Sequence, residues 1–272
     1  MTKKSSLLWS IEGKKLKKTS YLYGTIHIRN KRVFLFDDIV KECFDRSEAF
    51  AMEVLLDDMQ QSDYEKLFLM TKHKLIDLIG SEYYKKLDKH LKQNSFPGVA
   101  MFNNTKPIFV SSHLLQSYDS NDMKENLDSY FFEQAKIQSK QVFGLENFKE
   151  QIKAINKISL KSQAAMLIHL IDNIKTSEKK YNKLVEAYIK LDFKGILKML
   201  KDPSLPENFE TAMLGDRNSI MCKRIEKICR KYSCFIVFGA GHLAGKYSIV
   251  KMLQDKGYEV KPIYFKFKEE EN

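Results

Sequence analysis

The sequence predicts an α/β fold with a central mixed β-sheet built from both chain ends, flanked by helices, and a helical cap from the middle of the chain. Short apolar runs typical of strands lie near both termini, at residues 7–12, 18–23 and 234–238. The sequence between them has mostly helical periodicity. With 272 residues and 43% hydrophobic content, the chain is long enough for a full core. No internal repeat or long linker divides it, so we expect a single domain over residues 1–272.

The first elements follow from alternation and turn residues. Residues 7–12 and 18–23 predict a β-hairpin that turns at Gly13. Residues 35–46 have the pattern of a helix. Residues 49–54 then read as a buried strand that carries one acid, Glu53.

The middle of the chain is predominantly helical and rich in lysine. This pattern runs from about residue 58 to 140, and we expect residues 58–135 to form the cap. It is interrupted at residues 94–98 by Asn, Ser, Pro and Gly. Residues 140–145 then predict a short strand that ends at Glu146.

The last part alternates helices with strands. Residues 160–174 and 181–189 have apolar faces at helical spacing, and residues 207–231 resume a helix after a turn marked by Pro203 and Pro206. A strand is expected at 234–238, a helix from the following Gly-rich turn to about residue 256, and a strand at 258–264. Residues 265–272 read as a frayed, charged tail.

The charge balance is strongly basic. The net charge is +11 and the isoelectric point about 9.2. The lysines are scattered along amphipathic helices, however, and no nucleic-acid-binding signature is present. We therefore expect no nucleic-acid partner; a binder of nucleic acid or of an anionic membrane is the alternative that the basic charge suggests.

The sequence has neither a secretion signal nor a membrane span by the usual criteria. The N-terminus is basic but lacks a continuous apolar segment, and no run of about 18 apolar residues occurs. The four cysteines have no metal-binding spacing and suit reduced core thiols. These features predict a cytoplasmic protein without a transmembrane segment.

Two copies of a Gly-x-x-His motif contain the main candidate functional residues. Residues 24–27 read Gly-Thr-Ile-His and residues 239–242 read Gly-Ala-Gly-His, each after an apolar strand. Open α/β sheets bind ligands at the carboxyl edge of their strands. If the fold brings His27 and His242 together there, they form a pair of metal ligands or of acid–base groups.

The second motif resembles a dinucleotide fingerprint but has the wrong spacing. It reads G-x-G-x-x-x-G over residues 239–245, and too little chain follows it for a complete nucleotide-binding unit. We expect its glycines to form a sharp strand-to-helix turn. His242 would then lie near a helix N-terminus, which disfavours its protonation.

Two glutamates follow predicted strands. Glu53 either caps a helix starting near residues 57–58 or reaches the same sheet edge as the histidines, where two imidazoles and one carboxylate would suit a divalent transition metal. Glu146 occupies the corresponding end of another strand. It is a candidate metal ligand, general base or helix cap.

Arg217 belongs to an unusual polar cluster within the helical pattern at residues 214–218. An arginine that points inward must pair with a carboxylate, and Glu53 or Glu146 would serve. Arg217 is therefore a candidate group for a substrate or an oxyanion. A surface salt bridge is the alternative.

Taken in order, these residues resemble the TraB/GumN family, which is related to the Tiki metalloproteases. The resemblance extends from about residue 7 to 264, and the two Gly-x-x-His motifs with the intervening glutamates make it fairly specific. Its matching positions are Trp9, 21–27, Glu53, 106–107, 127–131, 144–147, Gln151, 217–218, 239–245 and 257–258.

The resemblance implies a fold akin to erythromycin-esterase and haem-binding relatives, and a metal-dependent hydrolase site. Its metal ligands would correspond to His27, Glu53 and His242, with Glu146 and Arg217 nearby. Members of the family differ in function: some cleave secreted signalling proteins, and others shut down peptide pheromone signalling.

The hypothesis is therefore hydrolysis of a peptide, or of a related small amide or ester, assisted by Mn²⁺, Co²⁺ or Zn²⁺. Glu53 would act at the metal, Glu146 would take the proton of an activated water, and Arg217 would steady the oxyanion. A non-catalytic regulator that sequesters a peptide or binds a metal or haem at the same edge is the alternative.

Overall fold

A mixed β-sheet forms the centre of the computed structural model, which describes residues 6–13, 16–55, 60–94, 96–119, 122–199 and 204–269. Within these residues the sheet has six strands in the order β4-β3-β5-β2-β1-β6. The strands are β1 (Leu8–Glu12), β2 (Ser20–Thr25), β3 (Ala49–Met52), β4 (Gln141–Gly144), β5 (Cys234–Gly239) and β6 (Glu259–Ile263). The predicted α/β sheet assembled from both chain ends is confirmed.

The N-terminal hairpin forms one side of the sheet. Strands β1 and β2 pair antiparallel, with Trp9 opposite Leu22, and β6 adds antiparallel to the outer side of β1. Gly13, directly after β1, has φ +87°, a conformation that glycine adopts without the steric cost of a side chain. The predicted hairpin is confirmed.

The other half of the sheet is parallel and determines where the motifs lie. Strand β5 pairs in parallel with β2 on one side and with β3 on the other, and β3 pairs in parallel with β4. Thr25 is directly opposite Gly239 in this register. The chain segments after β2, β3, β4 and β5 therefore all leave at the same edge of the sheet.

Helices flank the sheet. They are α1 (Asp38–Asp45), α2 (Gln61–Phe68), α3 (Leu75–Gln93), α4 (Pro107–Gln116), α5 (Leu127–Ile137), α6 (Phe148–Asn156), α7 (Leu160–Asp172), α8 (Ile174–Ile189), α9 (Phe193–Met199), α10 (Asp216–Cys229) and α11 (Ile249–Asp255). No helix among the described residues is both long and apolar enough to cross a membrane.

The core is centred on β5, whose residues from Cys234 to Phe238 are fully buried. Phe235 contacts the rings of Phe131 on α5 and Phe44 on α1, with centroids 5.2 and 5.4 Å away. A separate apolar cluster joins α3, α4 and α7. Each large apolar side chain removed from water in these clusters contributes roughly 1.5–3 kcal/mol.

The region after β5 differs from the sequence prediction. Instead of one helix to residue 256, the chain forms a single 3₁₀ turn over Ala240–Leu243 and then an irregular segment before α11. Gly245, at φ +81°, lies in that segment and interrupts helical geometry. His242 is therefore in a short turn and not at the N-terminus of an α-helix. The predicted helix cap near residues 57–58 and the turn at Pro203 lie outside the described residues.

Candidate active site

His27 lies two residues beyond the end of β2, and its side chain is half exposed. Its Nδ1 is 2.8 Å from Oδ2 of Asp128, which is buried in the first turn of α5. The other oxygen of Asp128 accepts a hydrogen bond of 2.6 Å from the Thr25 hydroxyl. The Asp128 carboxylate raises the pKa of His27 to about 9. Asp128 therefore fixes the ring, directing Nε2 away from α5.

Gly24 allows the two motifs to approach each other. A Cβ on this residue would lie 2.5 Å from Cδ1 of Leu243 and 3.1 Å from Cα of Ala240. Its carbonyl accepts a 2.8 Å hydrogen bond from the buried Tyr188 hydroxyl. The glycine of the N-terminal motif is thus required by close packing against the turn that carries the second motif.

His242 is buried in the 3₁₀ turn after β5. Its Nδ1 faces Oδ1 of Asn218, whose amide nitrogen donates a 2.6 Å hydrogen bond to the Tyr247 carbonyl. Because the amide oxygen of Asn218 is an acceptor, Nδ1 of His242 carries the proton. Burial lowers the pKa of His242 to about 4, so the ring is neutral at pH 7 with a lone pair on Nε2.

Glu53 directly follows β3 and connects the two sides of the site. Its Oε1 accepts a 2.8 Å hydrogen bond from the Gly239 amide and lies 3.4 Å from Nε2 of His242. Its Oε2 is 2.5 Å from Nη2 of Arg217. Burial alone would raise the pKa of Glu53, but the guanidinium, the two imidazoles and the Gly239 amide hold it well below its usual range.

Arg217 is buried in the first turn of α10 and links two carboxylates. Besides Glu53, it binds Glu146 through Nε, at 3.1 and 2.9 Å from the two oxygens, and through Nη2 at 2.7 Å. Its Nη1 donates to the Met213 carbonyl at 3.1 Å. The expected pairing of Arg217 with Glu53 or Glu146 therefore occurs with both.

Glu146 is held at the end of β4 and has no exposed side-chain surface. Its amide donates a 2.7 Å hydrogen bond to the Glu53 carbonyl, which couples the ends of β3 and β4. Burial raises the pKa of Glu146, and the ion pair with Arg217 offsets only part of that rise. Both oxygens of Glu146 thus contact the guanidinium of Arg217.

The three candidate ligands surround Gly239. A Cβ built on this residue would lie 3.5 Å from Oε1 of Glu53, 3.8 Å from Nε2 of His27 and 3.8 Å from Cδ2 of His242. The absence of a side chain at Gly239 therefore leaves a small space bounded by two imidazoles and a carboxylate. Two strand-end histidines that are 215 positions apart in the sequence meet at this point.

The donor atoms suit a divalent transition metal, although their arrangement is not that of a preformed metal centre. Two ligands of an ion with bonds of about 2.1 Å and tetrahedral geometry are roughly 3.4 Å apart, which matches the separation of Glu53 Oε1 and His242 Nε2. Among the described residues, however, no group of three or more His, Cys, Asp or Glu side chains is positioned to hold a metal ion.

The charges of the site also favour a cation. With Glu53, Glu146 and Asp128 ionised, three carboxylates face one guanidinium and one protonated imidazole, which leaves a negative charge uncompensated. A divalent cation that displaces the proton of His27 would balance that charge. The chemistry of the residues therefore fits such an ion.

The sequence did not reveal two residues of this network. Asp128 reads as an ordinary acid in the first turn of a helix, where it offsets the helix dipole. Asn218 was grouped with Arg217 as part of a polar cluster and as a position that matches the family, without a role of its own. Their contacts with His27 and His242 depend on how α5 and α10 pack against the sheet, which local sequence does not encode.

Sequence comparison finds a matching protein family and several distant relatives. The sequence model of the TraB/PrgY/gumN family matches residues 7–262. Relatives include a protein named "Metalloprotease TIKI homolog" from Amphimedon queenslandica, 24% identical over 94% of this chain and 61% of that protein. Another of the same name from Nematostella vectensis is 22% identical over 94% of this chain and 66% of that protein.

"Metalloprotease TIKI1" from Danio rerio is 24% identical over 94% of this chain and 63% of its own length. The chain thus spans about three fifths to two thirds of the length of these relatives. No solved structure gives a significant match.

Proposed function

The chain belongs to the TraB/PrgY/gumN family, and from this premise we propose that it is a divalent-metal-dependent hydrolase that acts on peptides. His27, Glu53 and His242 would hold the ion, with Mn²⁺, Co²⁺ and Zn²⁺ as candidates. The name metalloprotease, shared by relatives 22–24% identical, supports this class of activity. A related small amide or ester is a further candidate substrate.

The observation that carries the proposal is the position of His242 Nε2 relative to Glu53 Oε1. The hydrogen bond with Asn218 places the proton of the ring on Nδ1, so Nε2 presents a lone pair to a carboxylate oxygen 3.4 Å away. Two electron-rich atoms that face each other in a buried site favour a proton or a cation between them. His27 Nε2 borders the same space beside Gly239.

The remaining residues would position these ligands and stabilise charge. A bound ion would supply Lewis acidity and lower the pKa of a bound water towards about 7. Asp128 and Asn218 orient the two imidazoles. Arg217 holds Glu53 through Oε2, which leaves Oε1 directed at the space beside Gly239.

We assign Glu146 the role of holding Arg217, because both of its oxygens are engaged by the guanidinium. This differs from the general-base role that the sequence suggested. Since His27 is half exposed, a peptide can approach the site from its side.

The test is hydrolysis of a defined peptide library, followed by mass spectrometry, with metal-depleted protein and with the protein after return of Mn²⁺, Co²⁺ or Zn²⁺. We expect cleavage only after a metal is returned, and none with His242→Ala under any condition. Cleavage that neither depletion nor His242→Ala affects would exclude the proposal.

A peptide-binding regulator without catalytic activity is the second candidate. Glu53 already has two partners, the guanidinium of Arg217 and the Gly239 amide, and these contacts form without an ion. This observation favours the second candidate. Calorimetry that shows peptide uptake without a cleaved product would support it, as would retention of binding by Glu146→Gln.

We also propose a cytoplasmic location, because all four cysteines are buried and unpaired. Reduced thiols of this kind are typical of the cytosol. Thiol titration of protein purified and denatured without reductant tests this, with four reactive thiols expected from the sequence. Disulfide formation would argue against it.

A further inference from the structure

Strand β4 is an open edge of the sheet next to the candidate site. It pairs with β3 on one side, and no described strand pairs with the other. The amides of Gln141 and Leu145 donate towards β3, to the carbonyls of Glu48 and Met52. Since backbone groups alternate in direction along a strand, the N–H and C=O groups of Val142 and Gly144 point away from the sheet. They form a short template for an additional strand.

A groove follows this edge. It consists of two adjoining hollows of about 450 and 280 Å³, and Gly144 and Arg224 line both. The larger hollow also borders Glu146 and Val54, the neighbour of Glu53, and therefore reaches the carboxyl edge of the sheet. The smaller one extends along Phe143 to Tyr232, whose rings are 5.6 Å apart.

The groove has a basic end. Lys227 and Lys231 line the smaller hollow, are exposed, and form no ion pair with any described residue. Arg224 is held between the two hollows by Glu150 and by the Leu145 carbonyl. Lys149 and Asp63 at the other end balance each other in charge. Acidic side chains are thus the complement of the part nearest Tyr232.

We propose that an extended, acidic segment of a peptide substrate binds by adding as a strand to the edge of β4, with its acidic side chains against Lys227 and Lys231. Main-chain hydrogen bonds to Val142 and Gly144 would supply affinity that tolerates many sequences. The two lysines would supply the preference for acidic residues. This inference rests on the proposed peptidase function and names the class of its substrate.

The sheet order also relates the bound segment to the cleaved bond. Two strand spacings separate β4 from β5, and an added strand lies one spacing further out, about 14 Å from the end of β5. An extended chain covers that distance in roughly four or five residues. The peptide bond cleaved beside Gly239 would thus lie about four or five residues from the segment that pairs with β4.

The experiment measures fluorescence anisotropy of a labelled peptide of about ten residues that alternates Glu and Thr, with metal-depleted full-length protein. Val142→Pro removes an outward N–H while leaving the bonds to β3 intact, and Val142→Thr is the matched control that keeps it. Lys227→Glu combined with Lys231→Glu tests the charge, with Lys251→Glu on the exposed face of α11 as its control. Circular dichroism verifies that every variant is folded.

We expect Val142→Pro to weaken binding at least threefold, as the loss of one hydrogen bond implies, and the double lysine variant to weaken it by about tenfold at low salt. The two controls should bind like the wild type. Two further probes carry N-methyl groups on either the Glu amides or the Thr amides. Because a strand uses every second amide in one ladder, only one of them should bind weakly.

Equal binding of both methylated probes, or unchanged binding by Val142→Pro, would overturn the proposal. So would a wild-type protein that dimerises in sedimentation experiments and becomes monomeric with Val142→Pro, because the edge would then receive a second copy of this chain. Binding is measured with metal-depleted protein, so it does not depend on the proposed ion or on cleavage. Failure of the hydrolase proposal and failure of strand addition are therefore separable.

Discussion

The carboxylate of Asp128 lies 2.8 Å from Nδ1 of His27, whereas the corresponding nitrogen of His242 faces the neutral amide of Asn218. The histidines of the two motifs thus differ in the partner of Nδ1: a carboxylate for His27 and an amide oxygen for His242. A carboxylate behind an imidazole increases the basicity of the other ring nitrogen, and a carbonyl oxygen mainly fixes its tautomer. The Asp128 carboxylate raises the pKa of His27 to about 9, whereas burial lowers the pKa of His242 to about 4.

Replacement of Asp128 by Asn should weaken metal binding. The amide would still reach His27 but would remove the negative charge that favours a cation beside it. Loss of such an outer partner costs about 10- to 100-fold in metal affinity, and we expect an effect of that size for Zn²⁺ by isothermal titration calorimetry. Glu133→Gln, a half-exposed acid on the same helix, is the control. Equal affinities for both variants would show that Asp128 has no role at the site.

Gly239→Ala should retain the fold and lose the metal. Its φ of −53° suits alanine, and the new Cβ would make only ordinary contacts. That Cβ would, however, occupy the space between Glu53, His27 and His242. We expect thermal stability equal to or slightly above that of the wild type, together with at least a tenfold loss of Mn²⁺ or Zn²⁺ affinity, as for a disturbed ligand set.

Gly24→Ala, in contrast to Gly239→Ala, should destabilise the fold. Its Cβ would overlap Leu243 and approach Ala240, so we expect overpacking to cost about 1–3 kcal/mol in the free energy of unfolding. If Gly239→Ala binds metal as tightly as the wild type, the ion does not bind in the space beside Gly239.

Removal of Arg217 should be far more damaging than neutralisation of Glu146. Arg217→Met leaves two buried carboxylates without a counter-charge, a situation that costs about 3–5 kcal/mol. Glu146→Gln leaves the pair of Arg217 with Glu53 intact, and we expect a cost of about 1–2 kcal/mol. Urea unfolding at pH 7 measures both values. Equal costs would mean that the two carboxylates do not depend on the same guanidinium.

The pair of Glu150 and Arg224 should make stability depend on pH. The guanidinium donates two hydrogen bonds, of 2.6 and 2.9 Å, to the carboxylate. Burial alone would raise the pKa of Glu150, but these bonds and the Asn147 amide lower it below its usual range. A carboxyl group with a lowered pKa stabilises the folded state above its unfolded pKa, about 4.3, and loses that contribution as the pH falls.

Glu150→Gln should therefore lower the free energy of unfolding by about 0.5–1 kcal/mol at pH 7. The difference from the wild type should shrink between about pH 5 and pH 3. Urea titrations at several pH values measure this. A difference that stays constant with pH would show that the variant acts through packing and not through charge.

The sequence was most informative about elements with a clear local pattern. Alternation around Gly13 predicted the hairpin, and the apolar run before Gly239 predicted the central strand. The two Gly-x-x-His motifs predicted histidines at one sheet edge, because parallel strands present their carboxyl ends together. Whether His27, Glu53 and His242 bind metal remains a prediction.

Features that depend on tertiary packing were beyond the sequence. The insertion of β5 between β2 and β3 is set by long-range pairing, and it places Gly239 opposite Thr25. The neutral state of His242 was attributed to a helix dipole, but burial beside Asn218 is its cause. The bidentate contact of Glu146 with Arg217 likewise depends on how α10 packs against the end of β4.

Metal content is the most direct test of the central claim that the two motifs and Glu53 hold one divalent ion. The wild type, His27→Ala and His242→Ala would each be equilibrated with Mn²⁺, Co²⁺ or Zn²⁺, freed of excess metal, and analysed by inductively coupled plasma mass spectrometry. We expect on the order of one ion per chain in the wild type for at least one metal, and little in either variant. Equal metal content in all three proteins, or none in any of them, would contradict the account.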